Sequence, residues 1–539
     1  MIPSFEWEWI RSLLPLGLLY PELHYAFRYL PFSRYRIREP EIITDAPFRI
    51  APDRSLPVLL LVKDADRFPI FLDRLEVKLE APGYSETRSF AVSTIIGDSW
   101  WHRTFEIELS PDLKGQTVHC LPIVFYRVGT EPKTAEADNL PHTSHRAFRI
   151  FCAKESFPGS AGWIHGDLHT HSSYTSDQIE FGAPPEAMLQ VAASIGLDFF
   201  AITDHSYDLD DEEHNYLRNS PSLPKWKRFQ EEVRSLNKSA KDVTIIPGEE
   251  VSCANAEGRN VHLLIFNDSG YFPGSGDSAE KWFHTDAELT IEDALVLSSN
   301  TSLVVAAHPM DEPPGLERFF LKRGSWTDED WCYPSLRHYQ VLNGVDNKSF
   351  HRGLRRWIAG LLEGQRIFIA AGSDAHGNFN RYRQIDKPFW RIGEKENFQQ
   401  FGRMRSTVFL PGERSVALLI DALKRGHLVI GNGPFATVSI VDRTGSEYIV
   451  GQTCKGPVDR VMINALSSQE FGWLEKVRIF KGHLGGKEEL WFDASPNAEC
   501  FSKTMGPLGG SGEGYLRCEA LTSKGCFCYS NPVWFVTAR

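Results

Sequence analysis

Phe199-Phe200-Ala201-Ile202-Thr203-Asp204-His205 decides the reading of the fold: four apolar residues run straight into a polar triplet. A short, wholly apolar run is the pattern of a strand buried on both faces, and its abrupt end marks where a site can begin. The pattern recurs downstream. Residues 243–246 precede Pro247-Gly248-Glu249-Glu250, residues 303–307 precede His308-Pro309, and residues 367–371 precede Gly372-Ser373-Asp374-Ala375-His376. Stretches of helical texture, residues 185–195, 226–239 and 350–363, lie between these runs. Strands alternating with helices predict βα units, a mostly parallel sheet, and a site at the C-terminal strand ends.

The flanks have a different texture. Leu75-Glu76-Val77-Lys78-Leu79-Glu80 and Phe105-Glu106-Ile107-Glu108-Leu109 alternate apolar and charged residues, as strands with one wet face do. With the runs at 57–62, 123–128 and 147–151 they predict a β-sandwich over residues 40–155. The α/β unit then spans 160–435. Strand texture returns at 438–441, 461–465, 477–480, 515–520 and 533–536, which predicts a second sandwich over 436–539. The Gly-rich stretch 505–514 lacks the Gly-Lys-Ser/Thr ending of a phosphate loop and reads as a long turn.

Residues 1–39 read as an amphipathic segment. Glu6, Glu8 and Arg11 interrupt it, and its longest apolar run, 13–20, falls short of the roughly 20 residues that cross a bilayer. No basic stretch precedes that run as in a signal peptide. The net charge of −12 argues against a general binder of nucleic acid or anionic membrane and leaves a small-molecule substrate as the expected partner. It fixes no oligomeric state. Nine cysteines, with Cys526 and Cys528 the one close pair, do not form a disulfide framework. They suit a reducing compartment, and a cytoplasmic location is expected.

The chemistry begins at Gly166-Asp167-Leu168-His169-Thr170-His171. Residues two apart on a strand share a face, so His169 and His171 can offer two imidazoles to one ion. Asp177, His205, Glu250, His262, His308, Asp374 and His376 follow, mostly at strand ends. One such residue alone would be an ordinary core or surface group; the series is not explained that way. Its nitrogen and oxygen donors suit Zn, Mn or Fe rather than a Cys-rich structural zinc site.

In this order the motifs resemble those of the polymerase-and-histidinol-phosphatase (PHP) domain, and the wider arrangement resembles its CehA/McbA branch. The shared words are Gly166 to His171, Thr203-Asp204-His205, Glu250, His262, His308-Pro309, Asn343-Gly344, Gly372 to His376 and Gly431-Asn432-Gly433-Pro434-Phe435. The resemblance covers about half the chain. It implies an α/β fold: a distorted seven-stranded βα barrel holding two or three divalent ions, here flanked by N- and C-terminal β-sandwich domains. His169, His171 and Asp374 would hold the first ion. Glu250 would bridge to a second on His262 and His308, and Asp177, His205 and His376 would hold a third. Where the family commonly has Ser-Asp-Gly, Asp177 is followed by Gln178 and a longer insert.

Such a site implies hydrolysis by a metal-activated hydroxide. Asp204 and Asp167, beside ligands, are candidates to orient imidazoles, or equally to cap strand ends. Arg381 and Arg383 are candidates to grip an anionic substrate, and Arg352, Arg355 and Arg356 read as a solvated helix face. Ser172 and Ser173 receive no nucleophilic role. The leading expectation is a phosphoesterase of a small phosphate ester. The alternatives are a carboxylic ester, carbamate or amide hydrolase and a non-enzymatic metal-binding module. An amidohydrolase barrel, which also opens on His-x-His, fits the Asp-His words less well.

Overall fold

The computed structural model describes residues 38–537 apart from 141–144, 176–181, 214, 277–284, 314–317, 320, 382–383, 388–389, 394–398 and 510–511. Asp177, Arg383 and residues 1–37 of the amphipathic segment lie outside the described residues. No helix among the described residues is long and apolar enough to cross a membrane.

Between Glu41 and Cys152 two sheets face each other. One pairs Glu41–Asp45, Leu56–Lys63 and Trp100–Ile107 antiparallel. The other is built around Ile70–Ala81 and Thr117–Val128. Leu60, Val62 and Phe105 from the first share one core with Leu75, Val77 and Val124 from the second. The odd positions of Leu75-Glu76-Val77-Lys78-Leu79 are buried and the even ones are not, as period-two alternation requires.

The central region is not the seven-stranded βα barrel that the sequence suggests. Among the described residues strands take 45% against 15% for helices, and the six α-helices described there are too few for such a barrel. The centre is instead a mixed sheet that curls. Trp163–Asp167, Phe199–Ile202 and Thr244–Ala254 are parallel neighbours. Asn260–Phe266 then returns antiparallel to Thr244–Ala254, and Leu303–Ala306 is antiparallel to Asn260–Phe266. His338–Asn343 and Phe368–Gly372 complete that side in parallel.

The physical reason lies in residues 248–260. The strand does not stop at the polar Glu249-Glu250 but runs on to Ala254, and the chain reverses within five residues. The Asn255 side chain accepts from Glu257 N and Arg259 N, and Gly258 takes φ +72. That is turn chemistry, and it puts a hairpin where a βα unit needs a helix. On the other side Trp163–Asp167 pairs antiparallel with Arg405–Phe409. The curl brings Phe368–Gly372 against this strand, where Ser406 Oγ accepts from Ala371 N and donates to Ala371 O, each at 2.9 Å.

The helices that do form lie on the flanks of this sheet. Pro185–Ile195 starts on a proline and ends on Gly196 at φ 91, a left-handed cap that glycine adopts without strain. Lys348–Leu362 is capped by Asn347, whose side chain accepts from Phe350 N; its stripe of Phe350, Leu354, Trp357 and Leu361 is buried.

The boundary expected at residues 435/436 does not divide the sheets. Leu428–Gly431 pairs with Phe527–Ser530, so the sheet continues into the strands Gly512–Thr522 and Leu474–His483. A Cβ on Gly431 would stand 2.3 Å from Phe527 O, so this pairing needs a glycine there. A separate four-stranded sheet containing Phe435–Asp442 and Val458–Leu466 packs on the continuation, with Val438, Ile463, Val477 and Leu516 in a common core. Asn531, fully buried, accepts from Ile369 N and donates to Ile369 O and Leu428 O, which ties the C-terminal region to the Phe368–Gly372 strand.

Candidate metal centre

The curled sheet gathers the ligand candidates at one end. His169 leaves the Trp163–Asp167 strand, and Thr170–His171 pairs in parallel with Ala375–His376, so the first and last motifs sit side by side. His205 follows Phe199–Ile202 and bridges to Glu250. His262 lies on the return strand, and His308 follows Leu303–Ala306. His308 and Asp374 adopt φ values of 30 and 54, left-handed backbone that is costly for a non-glycine residue and recurs at functional sites. Gly372 permits the closest approach: a Cβ there would stand 2.5 Å from His169 Cβ.

Three interlocked groups result: His169, His171, Glu250 and Asp374; Glu250, His262 and His308; and His171, His205 and His376. Within each, the candidate ligand atoms all lie within 4.8 Å of one another. In the first group His169 Nε2 is 3.2 Å from His171 Nε2. Glu250 Oε2 is 3.4 Å from His169 Nε2 and 3.3 Å from His171 Nε2, and Asp374 Oδ1 stands at the same two distances. Glu250 Oε1 lies 2.7 Å from His262 Nδ1 and 3.1 Å from His308 Nε2, while Oε2 lies 3.1 Å from His205 Nδ1. Strand alternation explains the choice of glutamate. Glu249 points away, accepting from Trp226 Nε1 and Phe272 N, and burial pushes its carboxyl up to about 8.

The electrostatics follow from this crowding. Burial alone would push Glu250 up, but the imidazoles of His262, His169 and His205 hold it well below the usual range. Asp374 is likewise held low, by His169, His171 and His376 against burial. Burial opposes charge on His171, yet its contacts with Asp374 and Glu250 raise it to about 10. The buried Glu250 and the half-buried Asp374 thus draw positive charge into their midst.

A divalent cation fits the donor set. Atoms bound about 2.1 Å from one ion at tetrahedral angles stand about 3.4 Å apart. The first group's separations match that value and are long for charge-assisted hydrogen bonds, which run to about 2.7–2.9 Å.

Several supporting residues carry no signal that single-sequence reading can weigh. Gln340 Oε1 accepts from His169 Nδ1 at 2.9 Å, leaving Nε2 facing the carboxylates, and Gln340 Nε2 donates to Asn343 Oδ1 at 2.9 Å. Asn343 Nδ2 and Gln399 Nε2 donate to Asp374 Oδ2 at 3.1 and 3.2 Å. Tyr207 stacks on His205 at 4.8 Å. Asn343 stands in a quoted motif, but an amide in an apolar strand has no distinctive spacing. A cavity of about 220 Å³ adjoins the cluster, with His262, His308, Asp374, Asp311, Arg323 and Trp326 on its walls.

The remaining candidates are placed elsewhere. Asp204 is buried and accepts from Ser172 N, Ser172 Oγ, Thr175 N and Thr175 Oγ1, so it fixes the turn after His171 and bonds no imidazole among the described residues. Asp167 accepts from His169 N, Ser373 N, Ser373 Oγ and Gly402 N, which pins the turns carrying His169 and Asp374. Arg381 does not line the cavity; it is buried, with its charge acting on Asp45, whose carboxylate accepts from Phe379 N and Asn380 N.

No family model matches the chain, and no curated protein matches it. Among solved structures it is similar to a putative beta-galactosidase from Bacteroides fragilis, at 9% identity over 92% of this chain and 74% of that one, with a TM-score of 0.19. A beta-glucuronidase 3 from Bacteroides uniformis is 8% identical over 92% and 63%, with a TM-score of 0.17. The alpha-2-macroglobulin of E. coli is 8% identical over 93% and 22%, with a TM-score of 0.14. Scores this low carry no argument about fold or activity.

Proposed function

We propose that the chain is a metal-dependent hydrolase acting on a small phosphate ester, with two or three divalent ions held by the three groups above. The observation that carries the reading is the set of separations between 3.2 and 3.4 Å linking His169 and His171 with each other, with Glu250 and with Asp374. The motif resemblance to PHP metallohydrolases supports the same ligand roles and rests on those motifs alone. When bound, divalent ions lower the pKa of a coordinated water towards 7 and neutralise charge on the reacting group.

The chain's own residues do the rest. Gln340 fixes the His169 tautomer and ring, and Asn343 and Gln399 orient Asp374. Arg323 is the cation of the cavity wall and would hold the substrate's anionic group, the role first assigned to Arg381 and Arg383. Asp311, whose Oδ2 accepts from Asn343 Nδ2 at 3.3 Å, would brace the amide that orients Asp374. A second reading, hydrolysis of a neutral carboxylic ester, carbamate or amide, is favoured by Asp311 and Glu312 in that wall, which oppose a dianion, and by the Trp326 ring. All nine cysteines are unpaired, which supports a cytoplasmic setting.

The test is metal analysis followed by aryl phosphates, acetates and carbamates assayed with added Mn or Zn. Turnover that His171→Ala and Asp374→Ala abolish in folded protein supports the reading. Less than one ion per chain, or unchanged turnover in both variants, overturns it. Ions without turnover of any substrate would leave a non-enzymatic metal-binding module.

A further inference from the structure

A second cavity, of about 420 Å³, opens where the three regions of the chain meet. Arg149 comes from the N-terminal region, Arg403 and Arg405 from the strand beside Trp163–Asp167 and the turn before it, and Asn432 and Phe471 from the C-terminal side; Phe48 adds another apolar wall. The lining contains three guanidinium groups and no carboxylate. It shares no residue with the cavity at the metal centre.

Arg405 is the informative member. It is only 4% exposed, and among the described residues it has no ion pair. Its Nη1 donates to the carbonyls of Gly402 and Arg403 at 3.2 and 3.1 Å, and its guanidinium lies 3.9 Å from the Phe157 ring centre. Glu470, a carboxylate whose field reaches Arg405, is committed to Arg49 Nε at 2.8 and 2.9 Å. Arg49 is fully buried, and the other carboxylate whose field reaches Arg405, Asp167, is taken up by Ser373 and the His169 and Gly402 amides. Arg149 is exposed and makes no ion pair among the described residues; Arg403, also exposed, donates to Gln400 Oε1 at 2.7 Å.

A buried charge is costly unless it is paired and hydrogen-bonded. Guanidinium groups match oxyanions through parallel N–H donors, and the three that line this cavity meet no carboxylate in its wall. The volume falls within the usual range for small-molecule sites, and the phenylalanine walls suit an organic body. We propose that this junction cavity binds a small organic polyanion through a phosphate group. The proposal stands apart from the hydrolase reading, since no metal-centre residue takes part.

The test uses the full chain in phosphate-free buffer at about 0.15 M salt, where weak surface attraction is screened. Inorganic phosphate, pyrophosphate and acetate are titrated by calorimetry and by melting temperature, with wild type both as purified and stripped of metal by a chelator. Phosphate and pyrophosphate should bind saturably in both preparations, and acetate should not. Arg149→Ala/Arg403→Ala, which removes only exposed side chains, should melt like wild type without ligand and bind pyrophosphate about tenfold or more weakly. If the double variant fails to fold, Arg149→Glu alone should show the same loss. No phosphate binding, equal binding of acetate, undiminished binding in the arginine variants, or binding that vanishes with the metal would each overturn the proposal.

Discussion

Replacing Gln340 with leucine should loosen the candidate metal centre while leaving the chain folded. Gln340 is fully buried and touches both sides of the first ligand group: its Oε1 holds His169, and its Nε2 holds Asn343, which in turn holds Asp374. Leucine fills nearly the same space, so no large cavity opens. Two hydrogen bonds are lost at about 1 kcal/mol each, and His169 Nδ1 and Asn343 Oδ1 are left in an apolar setting; together these cost about 2–4 kcal/mol. With the ring no longer held, metal affinity should fall about 10–100-fold, the usual effect of removing a ligand's orienting partner. Competition with a chromogenic chelator near neutral pH reads this directly. Gln340→Glu keeps an acceptor for His169 Nδ1–H and should lose less. A folded Gln340→Leu variant that binds metal as tightly as wild type refutes the reasoning, as does a Gln340→Glu variant damaged equally.

Three further outcomes follow from the geometry. Burial holds His338 down to about 4 and His165 to about 3, so the folded chain binds fewer protons than the unfolded chain below 6.5. Stability should be full above that pH and fall as pH drops from 6.5 towards 4, by about 3 kcal/mol from His338 alone; His338→Gln should flatten the urea midpoint over that window. Gly372→Ala places a Cβ against His169 and should cost about 1–3 kcal/mol together with metal content, read by denaturant melts and elemental analysis. Arg381→Ala should push the Asp45 carboxyl further above about 7, cost about 1 kcal/mol or less near pH 7 and more at higher pH, and leave any kcat/KM of the folded protein unchanged; a fall in kcat/KM at full stability would return Arg381 to the substrate.

The site was more legible than the fold, for a chemical reason. His205, His308, Asp374 and His376 follow apolar runs, where a polar side chain stands out, His169 and His171 stand two apart in sequence, and the structure brings them to one place. The same contrast misled at Glu249-Glu250. A polar pair reads as a strand end, yet one of the two faces the cluster and the other meets Trp226, so the strand continues to Ala254. That error turned a hairpin into an expected βα unit. Arg381 misled by nearness in sequence: backbone bonds from Phe379 and Asn380 to Asp45 carry the chain away from His376. The pairing of Leu428–Gly431 with Phe527–Ser530 spans nearly a hundred residues and leaves no local pattern at either strand.

That pairing makes the C-terminal region unsuitable as an interchangeable cassette. A fragment ending near residue 435 would present Leu428–Gly431 as a raw edge of unpaired main-chain groups, the kind of template on which chains aggregate. It would also lose Asn531, whose amide clamps Ile369 on the strand that delivers Asp374. The hundred or so residues beyond 435 therefore act as a splint for the end of the sheet that carries the candidate ligands. Recombinant fragments of the central region should be recovered from inclusion bodies, and natural variation should insert or delete segments at the exposed turns of this region sooner than replace it whole.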